Sequence, residues 1–221
     1  MSIEAKRMRD QLKEICLFGS LDDRQLDKLA QISTIKQFQP GNILFYEGDE
    51  PTNIYFLLDG LVKLYKYDAN NNMNILSYYY TQALLGEAAT LQKEPHQVLA
   101  ECEIESTILI LSFSEFEKNF LKDPDVSLGI IMHLVSKLKA LMSSNIKQTS
   151  MQKLAGLIFE NHELFMKLKK YKLAEILNMA PETFSRNLKK LEEKNIISYS
   201  KNRFTIHNQQ ALRELCSSCH L

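Results

Sequence analysis

The sequence predicts an α+β chain in three parts: a rolled antiparallel sheet, a long helix, and a helix-turn-helix carrying a two-stranded wing. Three observations carry this reading. Short apolar or alternating runs punctuated by glycine fill the chain from about Ile35 to Leu111, helical periodicity without proline follows Asp123-Pro124, and the segment KLAEILNMAPETFSRNLKKLEEKNIISYSKNRFTI closes it. At 221 residues the chain is long for one core and comfortable for two modest domains.

Residues 21–32, LDDRQLDKLAQI, space Leu21, Leu26, Leu29, Ala30 and Ile32 along one face, which predicts a short amphipathic helix. The runs ILFY, IYFLL, LVKLYKY, ILSYYY and STILILS then read as strands. Gly41, Gly48, Gly60 and Gly86 fall among them, mostly in turn contexts such as Pro40-Gly41 and Leu58-Asp59-Gly60. Short, evenly spaced strands with such punctuation predict a closed or rolled antiparallel sheet, with the NNN run at 70–72 as a hairpin tip.

In the long helix, Leu128, Ile131, Val135, Leu138, Met142 and Asn145 advance in steps of three and four like a coiled-coil seam, with Ile130, Leu134 and Leu141 beside it. A stripe this wide can serve the core of one domain, or pack on the sheet and on a second helix together. In the last segment, Leu173, Ala174 and Leu177 form the inner face of a first helix, Asn178-Met179-Ala180 the turn, and Pro181 the first position of a second helix, where a missing N–H costs nothing. With about 100° per residue, Phe184, Leu188 and Leu191 share one narrow stripe, while Glu182, Ser185, Arg186 and Lys189 project away from it. Ile196, Ile197 and Tyr199, then Phe204 and Ile206, read as wing strands around the basic tip Ser200-Lys201-Asn202-Arg203.

Composition narrows the function. The chain is 45% hydrophobic and 24% charged and lacks any tract of 18 uninterrupted apolar residues, so no membrane span is expected. The N-terminal MSIEAKRMRDQLKEIC mixes acids and bases where a secretory signal needs an apolar run, which points to the cytoplasm. Residues 1–149 carry 15 Lys+Arg against 20 Asp+Glu and residues 150–221 carry 12 against 7, so the two parts stand at −5 and +5. A basic segment joined to an acidic one fits a polyanion-binding module tethered to something that must not bind DNA. The sequence holds no Ser-His-Asp, Walker-type or His-Glu-x-x-His arrangement, and no enzyme is expected.

The segments PGNILFYEGD, YFLLDGLVKLY, LLGEAATL and APETFSRNLKKLEEKNII, with the long helix between the last two, resemble the CRP/FNR family of bacterial regulators over about residues 20–208. The resemblance implies a cyclic-nucleotide-binding-type β-roll sensing domain over 1–124, a dimerisation helix over 125–149 and a winged helix-turn-helix over 150–221. It implies a homodimer seamed by Leu128, Ile131, Val135, Leu138 and Met142, with double-stranded DNA and RNA polymerase as partners. Glu182, Thr183, Ser185, Arg186, Lys189, Lys190, Lys201 and Arg203 are the expected DNA contacts. The Glu-x-x-Ser-Arg spacing of Glu182, Ser185 and Arg186 is similar to that of the FNR branch and implies a palindrome with TTGA-like half-sites.

The same resemblance places the effector pocket at Gly86 and Glu87, the pair whose carboxylate holds a ribose hydroxyl in the members that bind cyclic AMP. Where those members hold the phosphate with Arg-Ser, this chain has His96 and Gln97. A buried phosphate needs a fixed cation or several N–H donors, so cyclic AMP is not the expected effector. FNR-like members hold an iron-sulfur cluster through several N-terminal cysteines, whereas only Cys16 occurs in the first hundred residues here. Two sensing chemistries stay open: haem held without covalent attachment in the roll, with His96 and His133 as ligands, and metal, cluster or disulfide chemistry at Cys216, Cys219 and His220 in the tail, against incidental thiols. The function is then either a transcription regulator controlled by an effector, redox or gas signal, or a ligand-binding or redox protein whose helical domain serves assembly only.

Overall fold

The computed structural model describes residues 3–217 apart from 20, 81, 146–147 and 201–202. The chain divides into two compact units, Met1–Lys137 and Leu138–Leu221, and the division falls inside the long helix.

The first unit begins with α1 (Ile3–Lys13), a tight turn at Cys16–Phe18 and α2 (Asp23–Gln31). The Asp22 side chain accepts from the Gln25 N–H at 2.8 Å and the Gln25 side chain accepts from the Asp22 N–H at 2.9 Å, a reciprocal cap that sets where α2 starts. Eight strands follow: β1 (Ser33–Phe38), β2 (Ile43–Phe45), β3 (Asn53–Asp59), β4 (Val62–Tyr67), β5 (Met73–Tyr79), β6 (Ala83–Leu85), β7 (Leu99–Cys102) and β8 (Ser106–Ser112). Helix α3 (Glu87–Gln92) lies between β6 and β7, and α4 (Phe113–Asn119) and α5 (Pro124–Asn145) follow β8. The strands form two antiparallel sheets, β1-β8-β3-β6 and β2-β7-β4-β5, in the roll that the strand spacing predicts.

The two faces of the first sheet explain why β3 and β8 read as nearly unbroken apolar runs. Tyr55 and Leu57 of β3, with Ile108 and Ile110 of β8, join the cluster of Leu44, Phe45, Val62, Leu85, Ala100 and Cys102. Their neighbours Ile54, Phe56, Leu109 and Leu111 turn to the opposite face, against Leu12, Phe18, Leu26 and Leu29 of the N-terminal segments, Phe116 and Phe120, and Val126 and Ile130 of α5. A strand buried on both faces loses the polar alternation of a half-solvated one. Strands β1, β6 and β7 and helices α3 and α4 are not distinguished by periodicity alone.

Helix α5 divides its apolar residues between two directions. Val126 and Ile130 are buried and Leu134 packs partly against the same core. Gly129 lets the helix lie close to Leu17, whose Cδ1 stands 2.9 Å from where a Cβ would be. Leu128, Ile131, Val135 and Leu138 are left 57%, 54%, 38% and 57% exposed in the single chain. The described helix runs Pro124–Asn145 rather than to 149, and the side chain of Met142 lies outside what the structure describes. No described helix is long and apolar enough to cross a membrane.

The second unit contains α6 (Ser150–Asn161), α7 (Leu164–Lys167), α8 (Lys170–Ile176), α9 (Pro181–Glu193), the hairpin β9 (Ile197–Ser200) and β10 (Arg203–Ile206), and α10 (Gln209–Ser217). Thr149 and Gln152 cap α6 reciprocally. Leu154, Leu157, Ile158, Leu173, Ala174, Phe184, Leu188, Leu191, Ile197 and Leu212 are buried, so the apolar stripes expected of the two helices of the motif face inward.

Candidate functional site

The turn into α9 is made by Asn178 at φ 49°, a left-handed conformation that asparagine tolerates, and the Met179 N–H returns to the Ala174 carbonyl at 3.0 Å. Pro181 is the first residue of α9. Phe184, Leu188 and Leu191 are at most 1% exposed, while Glu182, Ser185, Arg186, Lys189 and Lys190 are exposed and Thr183 is half-buried. Burial of one stripe thus forces the polar set outward together. The Arg186 Nη2 donates to Thr183 Oγ1 at 3.5 Å, a long contact that leaves the guanidinium fork open to a partner. Lys189 pairs with Glu193 at 3.6 Å across one exposed turn. Arg203 is exposed on the wing, whereas Lys201 lies outside the described residues.

Residues that periodicity does not single out hold this face in place. The Phe165 ring stands 6.2 Å from Phe184, 6.0 Å from Tyr199 and 4.7 Å from Phe204, so one buried aromatic joins α7, α9 and both wing strands. The Tyr199 hydroxyl donates to the Phe165 carbonyl at 3.3 Å, and the Tyr199 N–H donates to Glu192 of α9 at 3.1 Å. Asn187 is a buried polar residue on α9, 7% exposed. Lys169, Lys170 and Tyr171 are exposed at the start of α8, and the two lysines add positive charge that the sequence does not place on this face.

The expected effector pocket is arranged differently from a phosphate clamp. Glu87 Oε1 accepts from Lys137 Nζ of α5 at 2.7 Å, and the same ammonium donates to the Leu84 carbonyl at 2.7 Å and lies 4.7 Å from the Tyr79 ring centre. The Glu87 carboxylate is therefore already paired, by a residue the sequence reading passes over. His96 is 3% exposed and stacks on Phe45 with ring centres 3.9 Å apart, and burial pushes its imidazole below the ordinary range. Gln97 is exposed. No arginine occurs between Arg24 and Arg186, so the roll has no guanidinium for a phosphate. The expected pocket thus departs from the Arg-Ser clamp that the resemblance implies for members binding cyclic AMP.

Gly86 connects these groups. It has φ 71°, and a Cβ there would sit 2.6 Å from His96 Cε1 and 3.1 Å from Phe45 Cζ. Gly86→Ala is expected to lower stability by about 1–2 kcal/mol from the left-handed backbone alone, and more once His96 is displaced. Thermal denaturation checks this, and an unchanged melting temperature would contradict the packing of His96 over Gly86.

The tail supplies Cys216, which is half-buried, while Cys219 and His220 lie outside the described residues. Among the described residues no group of three or more His, Cys, Asp or Glu is arranged to hold a metal ion. Cys102 is buried in the roll, and burial raises its thiol to about 11, which leaves it an unreactive core residue at neutral pH.

Residues 35–123 match the cyclic nucleotide-binding domain and residues 150–215 match the Crp-like helix-turn-helix domain. The chain is 23% identical over 222 residues to the fumarate and nitrate reduction regulatory protein of Yersinia pestis, covering 94% of this chain and 88% of that one. It is 23% identical over 219 residues to the anaerobic regulatory protein of Haemophilus influenzae, covering 92% and 85%. Its fold is similar to that of FixK2 from Bradyrhizobium japonicum, with a TM-score of 0.65 at 20% identity over 83% of this chain and 97% of that one. The two curated relatives are regulatory proteins rather than enzymes.

Proposed function

Since the chain, a cyclic nucleotide-binding domain followed by a Crp-like helix-turn-helix, belongs to the Crp/FNR family of DNA-binding transcription regulators, we propose that it acts as a homodimer reading a palindrome with TTGA-like half-sites. The observation that carries the reading is the outward face of α9, where Glu182, Ser185 and Arg186 stand together opposite the buried Phe184, Leu188 and Leu191. A helix of this motif contacts base edges from its N-terminal turns. Arg186 donates two parallel hydrogen bonds to O6 and N7 of the guanine, Glu182 accepts from the N4 amine of a cytosine on the other strand, and Ser185 favours the outer thymines. Thr183 orients Arg186, and Lys189, Lys190, Lys201 and Arg203 meet phosphates, adding affinity with little sequence preference.

The dimer forms along α5 through Leu128, Ile131, Val135, Leu138 and Met142, supported by the exposure of the four whose side chains are described. The roll senses an effector other than cyclic AMP, because Glu87 is paired with Lys137 and His96 fills the space over Gly86. The protein works in the cytoplasm and meets RNA polymerase at its promoters. A gel shift tests the reading: a duplex with two TTGA half-sites is expected to bind at least about a thousandfold more tightly than a scrambled one at physiological salt. Equal affinity for both would overturn it. Calorimetry with cyclic AMP is expected to show no micromolar binding, and micromolar binding lost in a Glu87 variant would reinstate the nucleotide as effector.

A further inference from the structure

Between the first sheet and α5 the core of the first unit leaves a cavity of about 20 Å³. Ile54, Leu84 and Leu111 line it from three strands of that sheet, Phe18 and Phe116 from the N-terminal turn and α4, and Ile130 from α5. Each of these six is at most 7% exposed. Two polar residues border the same space, and both are spent elsewhere. The Thr90 hydroxyl donates to the Gly86 carbonyl at 3.0 Å, and the Glu87 carboxylate pairs with Lys137 at 2.7 Å. The cavity exceeds the roughly 10–15 Å³ that one water needs, but a water also needs about two to four polar partners, and an apolar void without them stays dry and takes apolar guests. Apart from Glu87 it shares no residue with the expected effector pocket. It lies on the opposite face of the first sheet from Tyr55 and Leu57, the face whose cluster includes the Phe45 on which His96 stacks. Helix α5 cannot settle inward to close the gap, because Gly129, next to Ile130, already brings the helix against Leu17.

We propose that this cavity binds one small, uncharged, apolar molecule, and that its occupant is the effector that fastens α5 to the roll. The lining of an empty void lacks partner atoms across it, and a guest supplies those contacts to Ile130 on one side and to the sheet on the other. The guest binds the packed arrangement and not one in which α5 has lifted from the sheet, so by mass action it favours the packed one. A charged or strongly hydrogen-bonding ligand would lose its hydration here, since the polar groups that border the cavity among the described residues are already paired. The proposal rests on the sensing role inferred above and gives the chemical class of its effector. Its test needs no DNA, so the failure of one is distinct from the failure of the other.

Xenon, which carries no charge and makes no hydrogen bonds, is the probe. In NMR spectra of the full chain, the methyl signals of Ile54, Leu84, Leu111 and Ile130 are expected to shift saturably with xenon pressure. Hydrogen–deuterium exchange reads the hold on residues 126–137, where protection is expected to rise about twofold when xenon reaches its dissociation constant. Leu91 lines the cavity from α3 and is only partly buried, so a larger ring there can enter the space. Leu91→Phe is expected to abolish both responses. No saturable shift in the native chain, an equal response in Leu91→Phe, or saturable binding with unchanged protection overturns the proposal. Should Leu91→Phe fail to fold, crystals of the native chain under xenon decide: an atom among Leu84, Leu111 and Ile130 supports the site, and none there overturns it.

Discussion

Replacing Ile131 and Leu138 together with glutamate is expected to turn the protein into monomers while leaving each protomer folded. The two positions lie seven residues apart on α5 and are 54% and 57% exposed in the single chain, so a charge at either is hydrated when the chain stands alone. In a two-fold seam the same four carboxylates would be taken out of water without partners, and an uncompensated buried charge costs roughly 3–5 kcal/mol each. Light scattering should move from twice 25.6 kDa to 25.6 kDa, with an unchanged circular dichroism spectrum. Affinity for a two-half-site duplex should fall by about 10²–10⁴, the advantage lost when two linked modules become independent. A variant that kept the dimer mass would place the contact elsewhere. The companion change at Ile130, which is 7% exposed against the core, should instead destabilise the roll, so the pair separates seam from core on one helix.

Arg186→Ala should cost roughly 1–3 kcal/mol of binding to the TTGA palindrome per contact and relax the preference for guanine there. The guanidinium is exposed and, among the described residues, meets Thr183 at a long 3.5 Å, so removing it costs the fold little and the loss is read as recognition. Lys190→Ala provides the contrast. A phosphate contact should weaken every sequence about equally and lower the slope of log affinity against log salt by about one. If Arg186→Ala retained full discrimination against a guanine-substituted site, the base contact assigned to it would be wrong even with the interface correctly placed.

The parts of this structure legible in the sequence are those in which one element's own period reports its surroundings. Phe184, Leu188 and Leu191 fall on one stripe because α9 has a single buried face, and the outward set follows by subtraction. On α5 the period reveals a wide stripe that fits one core or two partners, and the structure divides it between Ile130 and Leu134 on the core and Leu128, Ile131, Val135 and Leu138 in solvent. What stays hidden depends on residues far apart in the chain. Lys137 looks like an ordinary exposed helix lysine until Glu87, fifty positions earlier, is brought within 2.7 Å. Phe165 sits in a four-residue helix with no period to read, yet three rings from α9 and the wing converge on it. Alignment to the resembling family puts His96 where a phosphate contact belongs, but only packing reveals that its ring is stacked on Phe45 and spent on filling the roll. Strands β6 and β7, of three and four residues, are too short for alternation to distinguish from loop.

Selection of bound duplexes from a random DNA library by this chain at physiological salt tests the reading of α9 most directly. It is expected to enrich a two-fold symmetric motif with TTGA half-sites about one helical turn apart centre to centre, occupied by two protomers per duplex. Enrichment of no motif, or of a single half-site bound by one protomer, would contradict it.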